Sequence, residues 1–177
     1  MIRVLFVCLG NICRSPMAEA VFRHMVKEAG LDGVVEVDSA GTGHWHVGEP
    51  PHEGTRRVLD QNGIDWRGIR ARQVVPDDAE RFDYIVAMDA ENQGEVVRML
   101  DLHRPGRTKQ PQVFRLLDLV PDAPVADVPD PYYTGNFDEV YELIHAGCAA
   151  LLERIRRDLA LQSPGDGDAA GRRGNRS

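Results

Sequence analysis

Residues 4–16, Val-Leu-Phe-Val-Cys-Leu-Gly-Asn-Ile-Cys-Arg-Ser-Pro, restrict this chain more than any other segment. They read as a buried strand, a tight loop and the first turn of a helix. Within the loop five residues separate Cys8 from Arg14, and Ser15 follows directly. A loop of that length curls so that its backbone N–H groups face one centre. Such a concavity at a helix N-terminus binds an oxyanion, because free amides and the helix dipole both favour negative charge. The same field favours the thiolate of a cysteine held there, which is its nucleophilic form. Arg14 adds a planar fork that grips two phosphate oxygens at once. The segment thus reads as a phosphate cradle with a nucleophile, Cys8, at its floor.

The rest of the chain supplies a frame for that loop. Ile2 to Val7 is a short run, apolar except at Arg3, as expected of a central parallel strand buried on both faces. Ser15 suits a helix cap and Pro16 the first helical position. Met17, Ala18, Val21, Phe22, Met25 and Val26 recur at helical spacing, and Gly30 closes that segment. Further strands are expected at Val34–Val37, Phe82–Met88 and Gln112–Leu116, and helices at His52–Gln61 and Asp89–Leu102, with Asp89 as a cap. Asp38–Pro51, rich in Gly, His and Pro with Trp45 at its centre, is expected to be a loop. Gly41-Thr42-Gly43 is no dinucleotide fingerprint, since His46 stands where the third glycine belongs. Asp118 to Asn136 is long and irregular, with prolines at 121, 124, 129 and 131. Prolines on both sides of Asp130 hold its backbone extended, which argues for a positioned loop. A last helix carries the stripe Phe137, Val140, Ile144, Cys148, Leu151, Ile155 and Leu159.

Alternating strands and helices imply right-handed crossovers and a parallel sheet covered on both faces. Ligands of such sheets bind beyond the carboxyl ends of the strands, where the Cys8 loop lies. The length of 177 residues suits one domain, expected at 1–162, with a Gly/Asp/Arg tail, 163–177, expected to be disordered. A net charge of −7 gives no overall basic field for nucleic acid. The first apolar run is too short for a secretory signal, and no stretch approaches a membrane span. Three cysteines, Cys8, Cys13 and Cys148, cannot all pair, and a reducing cytoplasm is the expected compartment. His44, His46 and His52 lack a carboxylate or thiolate to complete a metal set nearby.

Cys8-Leu-Gly-Asn-Ile-Cys13-Arg14-Ser15-Pro16 resembles the signature of the low-molecular-weight protein tyrosine phosphatases, and it sits near the N-terminus as theirs does. Asp38-Ser39-Ala40-Gly41-Thr42 and Asp130-Pro131-Tyr132-Tyr133 resemble two further blocks of that family. Weaker similarity at Ala71-Arg72-Gln73, Phe82-Asp83-Tyr84-Ile85 and Met88-Asp89 joins them. The resemblance implies a four-stranded parallel sheet of order 2-1-3-4 with helices on both faces, the flavodoxin-like phosphotyrosine phosphatase fold. It implies a phosphoric monoester hydrolase that acts on phosphotyrosine proteins and small aryl phosphates, uses no cofactor and is a monomer or weak dimer. Vanadate and phosphate are its expected loop ligands.

Roles follow residue by residue. Cys8 attacks phosphorus and forms a cysteinyl-phosphate. Arg14 clamps the equatorial oxygens, which carry charge through the transition state. Expelling a phenolate needs a proton, and Asp118, Asp122, Asp127 and Asp130 all lie in the right loop; the family motif selects Asp130 as general acid and base. Ser15 caps the helix, donates to the Cys8 sulfur, or both. The resemblance places Asn11, Ser15 and Ser39 in a network behind the loop, with Asn11 suited to a left-handed backbone. Ile69 stands where the family usually has a histidine, so a shortened network is expected. Leu9, Gly10, Ile12 and Cys13 complete the cradle, and Trp45, Tyr132 and Tyr133 suit the walls of an aromatic slot. The resemblance also implies that Cys13 pairs reversibly with Cys8. Three other readings exist: a thiol-dependent arsenate reductase, which needs more relay cysteines; a phosphoarginine phosphatase, which carries Thr where Ile12 stands; and a non-catalytic phosphate-binding module, which would not need both Cys8 and Asp130.

Overall fold

The computed structural model describes residues 1–162; the expected tail, 163–177, lies outside the described residues. Four strands, β1 (Ile2–Cys8), β2 (Val35–Gly41), β3 (Tyr84–Ala87) and β4 (Gln112–Arg115), form one parallel sheet of order β2-β1-β3-β4. The helices are α1 (Arg14–Glu28), α2 (Glu53–Gln61), α3 (Asp78–Arg81), α4 (Ala90–Met99), α5 (Pro131–Thr134) and α6 (Phe137–Gln162). None of the described helices is long and apolar enough to cross a membrane.

Strand periodicity divides the core. Val4, Phe6 and Cys8 face one side of β1 and join the layer built with α1, α2 and α6. Leu5 and Val7 face the other side and join the layer that includes Val96 and Leu100. A strand buried on both faces selects apolar side chains, which is why Val4–Val7 is continuously apolar, while Arg3, at the half-buried start of the strand, pairs with Glu36. Phe6 meets Phe22 of α1 edge-on at 5.7 Å, so the first helix is pinned directly over the strand that precedes it.

Two local expectations are corrected. β2 does not stop at Val37; it continues to Gly41 because all seven of its residues pair with β1, from Ile2↔Val35 to Cys8↔Gly41. The neighbouring strand overrides the poor strand preference of Asp38, Ser39 and Gly41. Ser15 does not cap α1. The helix begins at Arg14 after Cys13, which contributes no side-chain cap, and the Ser15 hydroxyl is committed to the loop instead. Asp89 does cap α4, accepting the Asn92 amide at 2.7 Å, and His52 caps α2 through its ring nitrogen.

Candidate active site

The loop at the end of central β1 lies at the carboxyl edge of the sheet, between the ends of β2 and β3. Its outer face is tied down by backbone bonds. The Cys8 and Leu9 carbonyls accept the Thr42 and Gly43 amides, each at 2.9 Å, and the Ile12 carbonyl accepts the His52 amide at 2.7 Å. The Cys13 carbonyl accepts the Thr55 hydroxyl at 3.0 Å. Gly41 is required here: a Cβ would come within 2.7 Å of the Leu9 oxygen. With its carbonyls used outward, the loop turns its amides inward. Among the described residues, the N–H groups of Leu9, Gly10, Ile12, Cys13, Arg14 and Ser15 donate to no protein acceptor. That is the donor arrangement of an anion site.

Asn11 closes the ring with φ 58°, the left-handed region that Asn tolerates. Its amide N–H donates to the Cys8 sulfur at 3.3 Å, and the Ser15 hydroxyl lies 2.9 Å from that sulfur. Behind the loop, the Asn11 side chain donates to Ser15 at 2.8 Å and to Ser39 at 3.0 Å, while its oxygen accepts the Arg72 amide at 2.9 Å. Ser39 donates onward to Glu19 at 2.6 Å, and Glu19 pairs with Arg23. The network has no member at position 69. Ile69 is buried in the apolar layer, and the polar chain leaves instead through Ser39 to Glu19. Burial holds the Glu19 carboxyl above its usual range, with Arg23 and Ser39 opposing.

Arg14 is 3% exposed. One terminal nitrogen donates to Asp89 at 2.7 Å and to the Val128 carbonyl at 3.0 Å; the other lies 3.5 Å from Asp130. Its Nε is buried with no partner among the described residues, an unspent donor. Burial opposes the charge of Arg14, but Cys8, Asp89 and Asp130 outweigh it and raise its pKa. Asp89 thus does two things: one oxygen caps α4 and the other aims the guanidinium. Its position after β3 was a legible signal for the cap but not for the clamp. Glu19 was missed too, although Ser15, Glu19 and Arg23, four apart on α1, share one face.

The irregular stretch is fastened. The Val128 amide donates to the Met88 carbonyl at 2.9 Å, and Asp127 accepts the Ala90 amide and Arg115. Asp130 then caps α5, with one oxygen on the Tyr132 amide at 3.1 Å and the other toward Arg14. Cys8, Leu9, Gly10, Ile12, Cys13, Arg14, Trp45, His46, Asp130, Tyr132 and Tyr133 line one cleft of about 230 Å³. Asn11, Ser15 and Ser39 support it from behind. Cys8 and Cys13 are free thiols; burial, then Cys8 itself, drives the Cys13 pKa up, so that side chain keeps its proton. Cys148 is buried in the core.

A cradle of inward amides, a sulfur on its floor, an arginine at its edge and a facing carboxyl define a phosphate-handling site. The family described as low molecular weight phosphotyrosine protein phosphatase matches residues 3–161, and the chain belongs to it. A low molecular weight protein-tyrosine-phosphatase of Bacillus subtilis, YfkJ, is 55% identical over 161 residues, which cover 91% of this chain and 100% of that protein. Its crystal structure superposes with a TM-score of 0.84 at 54% identity, covering 89% of this chain and 96% of that one. PtpA of Staphylococcus epidermidis, also named a low molecular weight protein-tyrosine-phosphatase, is 43% identical over 162 residues, 92% of this chain and 99% of its own. A Drosophila arginine phosphatase, 33% identical, shares the fold at TM-score 0.78, covering 86% of this chain and 96% of its own.

Proposed function

We propose that the protein hydrolyses phosphotyrosine in proteins, and small aryl phosphates, through a cysteinyl-phosphate. The Cys8 thiolate attacks phosphorus in line with the ester oxygen. The S–P bond forms as the P–O bond breaks, and the electron pair leaves on the phenolate oxygen, which takes a proton from Asp130. Arg14 and the inward amides hold the three equatorial oxygens throughout. Water then attacks the phosphoryl group, Asp130 takes a proton from it, and the S–P bond breaks to return the thiolate and free phosphate. Apart from the attacking water, every group in these steps belongs to the chain itself or to the substrate.

The observation that carries this reading is the convergence of Cys8, Arg14 and Asp130 on one small cleft whose amides and Arg14 Nε lack acceptors. Trp45, Tyr132 and Tyr133 offer the flat apolar walls that suit a phenyl ring. Cys13 serves as a resolving thiol. After a peroxide oxidises Cys8 to the sulfenic acid, the Cys13 thiol attacks that sulfur, the S–O bond breaks, the thiol proton leaves with the hydroxide as water, and a disulfide forms. The decisive experiment is hydrolysis of an aryl phosphate in EDTA, with and without vanadate. Turnover that survives EDTA and is blocked by vanadate is expected; loss of turnover in EDTA overturns the reading. Phosphoarginine and phosphotyrosine peptides, run side by side, decide between this activity and that of the Drosophila relative, with phosphotyrosine expected to be the better substrate.

A further inference from the structure

Beside the catalytic cleft lies a second one, of about 440 Å³, and the two abut along Leu9, Arg14, Trp45, Asp130 and Tyr133. Its far side is the first two turns of α4. Four carboxylates line it, those of Asp89, Glu91, Glu95 and Asp130, against the single guanidinium of Arg14. That one positive charge is already engaged by Asp89 and Asp130, and it faces the phosphate cradle. Glu95 has an exposed partner in Arg98, whereas Glu91 forms no ion pair or hydrogen bond among the described residues. The cleft therefore presents an excess of negative charge immediately next to a site built for an anion.

A second feature of the same wall is independent of that charge. Asn92 lines the cleft, is 3% exposed, and its side-chain amide makes no hydrogen bond among the described residues; its oxygen is a buried acceptor without a donor. A buried acceptor left unpaired is destabilising. It wants an N–H donor, and the carboxylates around it want a cation. One chemical class satisfies both: an ammonium or guanidinium group. Among the described residues, no three His, Cys, Asp or Glu side chains are grouped to hold a metal ion, so the donor set suits an organic cation.

We infer that this second cleft is a specificity subsite, and that it receives a lysine or arginine side chain lying within a residue or two of the phosphotyrosine. The inference rests on the phosphotyrosine reading, because it needs the phosphoryl group in the cradle to set the register of the peptide. With the dianion bound, the charge of Arg14 is spent on it, and the carboxylates on α4 are left to the flanking residue. A second phosphate or an acidic side chain would meet them as like charges. Partly exposed pairs of this kind are individually modest and weaken with salt.

The test uses the full chain and four substrates: an aryl phosphate, and phosphotyrosine peptides whose flanking positions are Ala, Lys or Glu. The readout is the ratio of kcat/KM for the Lys peptide to that for the Ala peptide, which cancels any general loss in a variant. A ratio of roughly fivefold is expected at low salt, carried by KM, with the Glu peptide poorest and the preference shrinking at high salt. In Glu91→Gln with Glu95→Gln the ratio should fall toward one, and in Glu91→Lys it should invert in favour of the Glu peptide. Asn92→Ala, which removes the buried acceptor, should lower the ratio without changing its salt dependence. Equal rates for the three peptides, or a preference untouched by the Glu91 and Glu95 variants, overturns the subsite while leaving the phosphatase reading intact. Turnover of the aryl phosphate with no turnover of any peptide removes the phosphotyrosine reading, and the subsite with it.

Discussion

The floor and the rim of the catalytic cleft are built on opposite plans. The floor is buried and polar. Cys8, Asn11, Arg14, Ser15 and Ser39 are all nearly inaccessible, and their side-chain hydrogen bonds join the loop to Ser39 on β2 and to Asp89 and Val128. The rim is exposed and aromatic. Trp45, Tyr132 and Tyr133 are 63%, 50% and 76% exposed and touch mainly other rings: His44 stacks on Trp45, and Tyr132 meets Tyr133 edge-on at 5.2 Å. A buried polar network is costly unless every member is satisfied, so the floor has one arrangement and resists change. Ring contacts at a surface permit several arrangements at little cost. In the proposed mechanism bond-making falls to the rigid part and accommodation of the substrate body to the adaptable part.

That division is broken most severely at Cys8. Cys8→Ser should abolish turnover, by at least about 10⁴-fold, while vanadate still binds within about tenfold of its original affinity, because the amides and Arg14 remain. Substantial residual turnover, measured with an aryl phosphate, would remove the sulfur from the mechanism. Arg14→Lys keeps the charge but loses the fork and the bonds to Asp89 and Val128. A fall of about 10²–10³-fold in kcat is expected, with a smaller change in KM. Asp130→Ala should cost about 10²-fold for alkyl-like, poor leaving groups and much less for nitrophenolate, which departs without a proton. An equal loss across a leaving-group series would show that Asp130 acts through Arg14, 3.5 Å away, rather than as the acid.

How much of this was readable beforehand follows the same split. Local patterns gave the strand-loop-helix unit, the central strand and the periodic helices, since a run buried on both faces and a 3.6-residue stripe leave marks in sequence. The extension of β2 through Asp38-Ser39-Ala40-Gly41 left no such mark. Its cause is pairing with β1, a partner 33 residues away in register. Cys8 and Arg14 were legible because the chemistry compresses them into one short loop. Asp130 was one of several carboxylates until the family motif selected it, because its meaning comes from a contact with Arg14 across 116 residues of chain. Asp89 and Glu19 were missed for that reason. Each looks locally sufficient, as a helix cap and as the acid of an i,i+4 pair, and only the fold reveals the second bond that each one makes.

On the rim, effects should be smaller and fall on a different parameter. Tyr133→Ala removes a side chain with 76% exposure, so little packing is lost. KM for aryl phosphates should rise about threefold, with kcat within about twofold and the melting temperature unchanged within about 1 °C. A fall in kcat as large as that of Asp130→Ala would mean that Tyr133 holds α5, and with it the carboxyl, in place; the rim would then belong to the rigid part.

The subtlest difference is electrostatic and sits at the far end of the floor network. Glu19 is buried, and burial raises its pKa more than Arg23 and Ser39 lower it. A carboxyl raised in this way holds its proton more tightly in the folded chain than in the unfolded one. Its contribution to stability is therefore complete below the unfolded pKa, about 4.3, and declines as pH rises through the folded value. Glutamine at this position accepts from the Ser39 hydroxyl but does not titrate. The urea midpoint of Glu19→Gln should accordingly gain on that of the native chain as pH rises from about 4 toward neutrality, whatever their difference at the starting pH. If the two curves stay parallel, Glu19 does not change its protonation on folding, and the ion pair with Arg23 compensates fully for burial. Such a result would redraw the floor as a network of fixed charge, anchored at one end by Arg14 and at the other by Arg23, rather than one that ends on a shared proton.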